Sequence, residues 1–350
     1  MNRSKPRRRA GVVSLLVGLV SAGCAAAPVA PSGSWQVCAS PTQASLRGIA
    51  AVDPDTAWVT GSGGTVLRTR DGGGSWHAVA PPGCEACDFR DVVAFDADTA
   101  LVMVAGAPAQ IWRTDDGGGS WRVVFADARP AAFFDAIAAC GDYVVLFGDP
   151  VQERFYVVES FDAGRSFSPL APDAMVPTIA GEAGFAASGS CVCAFDVGRF
   201  GLVTGGGAVR FVRRDARGSF AARLPLSSGA ASRGAFSVAF EASGTNGVAV
   251  GGDYAAPEHA AGTAAITRDG GVTWRAAAVG PDGYRSAVLW CDDGSALAAG
   301  PQGCSWSGDG GDTWSPFGEL GFHCMARAGG AVWAAGAGGR IARLLLDGSR

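Results

Sequence analysis

A nine-residue run, "RTRDGGGSW" at 68–76, returns as "RTDDGGGSW" at 113–121, so Asp71 and Asp116 hold equivalent places 45 residues apart. Self-similarity at such a period restricts a chain to supersecondary units that stack or circle, because each unit buries its apolar face against the next. Written as Ser/Thr-x-Asp-x-Gly-x-Ser/Thr-Trp/Phe, the frame recurs around Asp162, Asp269 and Asp309, and a degraded copy stands at Asp215 with Arg217 in the glycine's place. The pattern is that of a tight turn between two strands. The Asp carboxylate accepts from N–H groups just after it, Gly takes the positive-φ position, and the aromatic residue opens the next strand and packs inward. One such acid per unit, at the rim of a ring, lies too far from the others to share catalysis or a Ca²⁺ ion. Asp71, Asp116, Asp162, Asp269 and Asp309 are therefore expected to be structural.

Each copy follows the same run-up, of which "LRGIAAVDPDTAWVTGSGGTVLRT" is the clearest: strand, turn, strand, glycine-rich turn, strand. With the strand after the aromatic residue each unit has four short strands, and four-stranded sheets at a period of roughly 40 to 50 residues are β-propeller blades. First strands begin near Leu46, Phe89, Phe134, Phe185, Phe236, Tyr284 and Phe322, which predicts an all-β, seven-bladed propeller over 33–346. The seventh unit stops after three strands, while Gly33-Ser34-Trp35 reads as the end of the missing turn leading into an outer strand. The two chain ends are thus expected to complete one blade, closing the ring and removing two free edges.

Ahead of the repeats, "MNRSKPRRRAGVVSLLVGLVSAGC" has a basic segment, a short apolar core and small residues ending at Cys24. That is an export signal over 1–24, too short for a transmembrane helix. Ser21-Ala22-Gly23-Cys24 resembles a bacterial lipoprotein cleavage site, which implies lipid on Cys24, and residues 25–32 read as a flexible tether. The expected location is the periplasmic side of a bacterial membrane, the outer one favoured because no Asp follows Cys24, with plain secretion as the alternative. A net charge of −4 and the lack of a basic run outside the signal argue against nucleic acid. Nine cysteines follow Cys24 and, in an oxidising compartment, predict disulfides with one thiol left over. Cys84 and Cys87 read as a loop staple rather than a redox pair, since no thioredoxin-like unit surrounds them, and Cys191 and Cys193 alternate along a strand and face opposite ways.

In a four-stranded blade the start of the inner strand and the turn after the second strand share one face, here called the upper face, and the Asp-bearing turn lies on the other. The residue after each inner-strand start is Arg47, Arg90, Asp135, Ala186, Ser237, Arg285 and His323, which predicts a cationic ring around the channel. The second turns add Asp149 and, opening the longest insertion, Asp253 and Tyr254, followed by Glu258 and His259.

The repeated frame is the Asp-box, or BNR repeat. Joined to Gly-x-x-Gly-x-Ile/Val/Leu-x-Arg-Thr, as in "VTGSGGTVLRTRDGGGSW", it resembles the photosystem II stability/assembly factor family over 33–346. The resemblance implies a non-catalytic propeller whose arginines, matched here to Arg47, Arg90 and Arg285, receive a protein or peptide client of a membrane complex, with no cofactor and no metal. Blades three and four depart from the pattern at Phe167, Phe220 and Arg217. A sialidase-type hydrolase is the alternative, with the same arginines on a substrate carboxylate, a tyrosine paired with an acid as nucleophile and an aspartate as acid/base, the candidates being Tyr254 or Tyr284, Glu258 and Asp253. Against it, sialidases have six blades, and their Phe-Arg-x-Pro motif is here Leu46-Arg47-Gly48-Ile49. An oxidoreductase could rest only on Cys84 and Cys87.

Overall fold

In the computed structural model the repeats become seven antiparallel sheets arranged as a ring of blades. The structure describes residues 1–2 and 33–345; the rest of the expected signal, Cys24 and the tether lie outside the described residues. Blades 1 to 6 occupy 46–78, 89–127, 134–169, 192–223, 233–276 and 287–318. Blade 7 joins 324–345 to the strand Gln36–Cys38, which pairs with Ile341–Leu345 in the register Gln36 opposite Arg343 and Cys38 opposite Ile341. The chain ends therefore close the ring as the truncated last repeat requires, and the Trp35 ring settles 4.8 Å from Phe322.

The Asp-bearing turns work as their composition dictates. Asp71 accepts from the Ser75 N–H at 2.9 Å, the Ser75 hydroxyl at 2.6 Å and the Thr69 hydroxyl at 2.8 Å, while the Thr69 oxygen accepts from the Gly73 N–H at 3.1 Å. The Ser75 donors hold the Asp71 carboxyl down to about 2. The same four bonds recur at Asp116, Asp162, Asp269 and Asp309. Gly73 has φ 88°, and a Cβ there would lie 2.7 Å from the Cys38 sulfur and 3.0 Å from Trp333, both in blade 7. So the glycine is needed twice, for its φ and for close approach of the neighbouring blade. The aromatic residue completes the joint: Trp76 stands edge-on to Trp333 at 5.7 Å, Trp121 to Trp58 at 6.4 Å, and Trp274 packs on Phe211 at 5.3 Å. Each ring belongs to one blade and packs on the preceding one, and burial of such a side chain contributes on the order of 2–3 kcal/mol.

Three sequence expectations change. The inner strand of blade 4 begins at Val192, seven residues after Phe185, and 170–191 form an insertion instead. Its short strand Glu182–Ala183 pairs with Gly205–Gly206, and Gly205 pairs with Gly234 of blade 5, so that sheet counts six strands. At Asp215 the Asp-box is lost: Asp215 pairs directly with Gly218 across a two-residue hairpin, as the replacement of glycine by Arg217 dictates. Finally, all nine cysteines from Cys38 to Cys324 are free thiols, in place of the expected disulfides. The Cys84–Cys87 turn is closed by its backbone, with the Cys87 N–H on the Cys84 carbonyl at 2.8 Å, and needs no staple.

Candidate binding site at the mouth of the channel

Four of the inner strands carry a bulge at their upper end that leaves one residue outside the ladder: Arg47 between Leu46 and Gly48, Arg90 between Phe89 and Asp91, Asp135 between Phe134 and Ala136, and Phe236 between Ala235 and Ser237. A bulge re-aims a side chain, and here it turns the arginines toward the channel. His323, directly before the pairing of Cys324 with Ala335, holds the same place in blade 7. Arg47, Arg90 and His323 line one side of a cavity of about 370 Å³ at the upper face, and all three are partly buried. Blades 7, 1 and 2 are consecutive in the ring, so the two guanidiniums and the imidazole gather on one arc.

Their electrostatics follow from that crowding. Arg47 forms no ion pair with any described residue; its Nε donates to Ser45 Oγ at 3.3 Å. Burial and the like charge of Arg90 lower its pKa, so an anion entering the mouth would relieve both. Arg90 is partly committed, with Nε on Asp88 at 2.6 Å and Nη1 on the Ala186 carbonyl at 2.9 Å. Burial, then Arg47, push His323 down to about 4. The ring is neutral at pH 7, and Nδ1, 3.0 Å from the Leu46 carbonyl, must be the protonated nitrogen.

The remaining candidates separate. Tyr254 lines the cavity, together with Tyr284, Phe185 and Phe236. Arg285 does not: it is 3% exposed, donates to Ser305 Oγ at 2.8 Å and the Tyr284 carbonyl at 3.0 Å, and pairs with Asp282. The reason is register. Ala287 faces Ala299 as Gly48 faces Thr60, which makes Ser286 the counterpart of Arg47 and puts Arg285 one step back, on the opposite side of the strand. In blade 5 the bulged residue is likewise Phe236 and not Ser237, whose hydroxyl accepts from the Val288 N–H. Asp135 is 1% exposed, raised well above the usual carboxylate range by burial and then by Asp149. Asp149 accepts from the Gly184 N–H at 3.2 Å, so the insertion covers both acids. Asp253 is bound to Arg233 at 2.8 Å and to the Ala255 N–H at 3.0 Å, which anchors the Tyr254 loop. Periodicity in the sequence read Phe185 and Phe236 only as strand starts, named Tyr284 only for the hydrolase alternative, and missed Ser286.

The tyrosine–acid pair of the hydrolase reading is not assembled at the mouth. Neither Tyr254 nor Tyr284 bonds an acid among the described residues, and Glu258 and His259 are exposed. The tyrosines that do, Tyr143 with Glu159 and Tyr156 with Asp127, stand outside the mouth. A nucleophilic thiol needs a depressed pKa, whereas burial and the neighbouring Cys87 push Cys84 up to about 12.

A family model described as "Photosynthesis system II assembly factor YCF48" matches residues 27–246, more than half of the chain. The chain belongs to the YCF48 family. Among solved structures it is similar to "YCF48 bound to D1 peptide", with a TM-score of 0.65 and 16% identity over 92% of this chain and 100% of that one. "YCF48 from Cyanidioschyzon merolae" superposes with a TM-score of 0.64 at 20% identity, covering 88% and 98%. A protein of unknown function from Bacteroides thetaiotaomicron follows with 0.53 and 11%, covering 91% and 73%. At these identities the likeness shows the fold, a YCF48-like propeller. Curated proteins yield no match to the sequence.

Proposed function

We propose that this YCF48-family chain is an exported, lipid-anchored, non-catalytic propeller that holds a protein or peptide client on the upper face, as an assembly factor does. The observation that carries it is the unpaired guanidinium of Arg47 beside the partly committed Arg90 in a concave mouth, a ready site for a client's carboxylates. Family membership and the likeness to a YCF48 described as bound to a D1 peptide support a peptide as occupant. The signal-like N-terminus and Cys24 support a lipid anchor that positions the mouth near membrane proteins.

Photo-crosslinking in native membranes tests the binding face. A crosslinker at Pro301, which lines the mouth, should capture a discrete protein, and one beside Asp269 on the opposite face should not. Arg47→Ala with Arg90→Ala should abolish that capture without unfolding the ring; undiminished capture by the double variant would sink the proposal. Cys24→Ser should release the protein from membranes, and continued membrane fractionation would remove the anchor.

A further inference from the structure

The wall of the mouth opposite the arginines is aromatic, and its placement depends on the blade 4 insertion. Phe185 lies parallel to Phe236, centroids 3.8 Å apart and planes 14° apart, while the Ala186 carbonyl beside it takes the Arg90 hydrogen bond. Tyr254 stands edge-on to both rings, at 6.4 Å from Phe185 and 6.1 Å from Phe236, and Tyr284 stands edge-on to Phe236 at 4.8 Å. Tyr254 is nonetheless 53% exposed. A large ring held in place by two others, with half its surface open to solvent across the mouth from Arg47, is ordered before any ligand arrives. Ordered aromatic surface is what gives binding energy at low entropic cost. The insertion thus divides the mouth into a cationic arc and an aromatic arc, and an occupant that serves only one leaves the other hydrated.

Resting on the peptide-binding reading above, we propose that the mouth selects a segment presenting a carboxylate next to an aromatic side chain. The carboxylate lies on Arg47 and the ring lies against Tyr254 and Phe185. Arg47 supplies charge complementarity, since no described acid pairs with it. The aromatic arc supplies discrimination, because ring–ring contacts prefer the edge-on and offset geometries this wall presents. A carboxylate can come from a chain end or from an acidic side chain, and the chemistry at Arg47 is shared.

Four probes and three variants decide the matter on the folded mature chain. N-acetylphenylalanine and N-acetyl-aspartyl-phenylalanine amide carry both features, from a chain-end and a side-chain carboxylate respectively. N-acetylalanine and N-acetylphenylalanine amide carry one each. The expected result, by calorimetry or ligand-observed NMR, is that at least one two-feature probe binds about tenfold tighter than either single-feature probe. Which two-feature probe does so assigns the carboxylate's source. Tyr254→Ala, at an exposed position, and Phe185→Ala should erase the ring's advantage and leave N-acetylalanine unchanged, while Arg47→Gln should erase the carboxylate's advantage. A thermal melt of each variant separates lost selectivity from lost fold. Failure of both two-feature probes to bind tighter than the single-feature probes, or selectivity that survives in a folded Tyr254→Ala, overturns the inference. If crosslinking still captures a client from the upper face in that case, the binding reading stands alone; if it captures nothing, both fall.

Discussion

At the scale of the residue, the same side chain type does opposite work depending on one step of register. Arg47 and Arg285 both stand near the start of an inner strand, yet one is at the mouth and the other is buried on Ser305 and Asp282. Arg285→Ala is therefore expected to lower stability by about 2–3 kcal/mol in chemical denaturation, from stranded partners and lost packing, and to leave client capture intact. Asp269 has burial working against it, but the Thr273 donors outweigh it and hold the carboxyl below its usual range. Asp269→Ala should cost on the order of 1 kcal/mol in the same assay and also leave capture unchanged. Ala163 holds a φ of 57° where blades 1, 2, 5 and 6 have glycine. Ala163→Gly should raise the melting temperature, by relief of about 1 kcal/mol of left-handed strain. His323 is neutral in the fold with its pKa pushed down to about 4, so the unfolded chain binds the extra proton between about 4 and 6.5. Its contribution to stability is full above that window and is lost as pH falls through it; His323→Gln should flatten the pH profile there, as urea titrations across pH 4–7 would show.

At the scale of the element, joints between blades matter more than the blades themselves. A four-stranded sheet this small is marginal alone, and its inner and outer strands are coupled to neighbours by particular groups. Asp91 is one of them: 4% exposed and raised by burial to about 7, it accepts from the Val92 N–H and, in blade 3, from the Ile137 N–H, each at 2.8 Å. The repeat pattern did not point to it, because glycine, alanine, serine or cysteine occupies the matching place in other blades; of these, Ser237 makes the equivalent bond, accepting from the Val288 N–H at 2.9 Å. The Asp-boxes were legible because each is local: a seven-residue stretch, 69–75 in the first copy, supplies its own donors and acceptors. The insertion at 170–191 was not, because its strand Glu182–Ala183 pairs with Gly205–Gly206, a partner more than twenty residues away, and Gly205 pairs in turn with Gly234 of blade 5.

At the scale of the whole molecule, closure by Gln36–Cys38 covers the Ile341–Leu345 edge. Deleting 33–40 should leave that edge bare, lower the melting temperature and promote association in sedimentation or size-exclusion runs at rising concentration. What the sequence determined by itself is the architecture: seven blades, the Asp-boxes and the joining of the chain ends, because these depend on short-range hydrogen bonding and on counting strands. The arginine side of the mouth was half visible, since Arg47, Arg90 and the neutral His323 keep one register, but Arg285 was misplaced by the single residue that a bulge adds or withholds. The free thiols, the burial of Asp135 and Asp149, and the aromatic arc were decided by tertiary structure alone. They depend on which groups of distant blades come together when the ring closes, and on an insertion whose path is set by the surface it lands on.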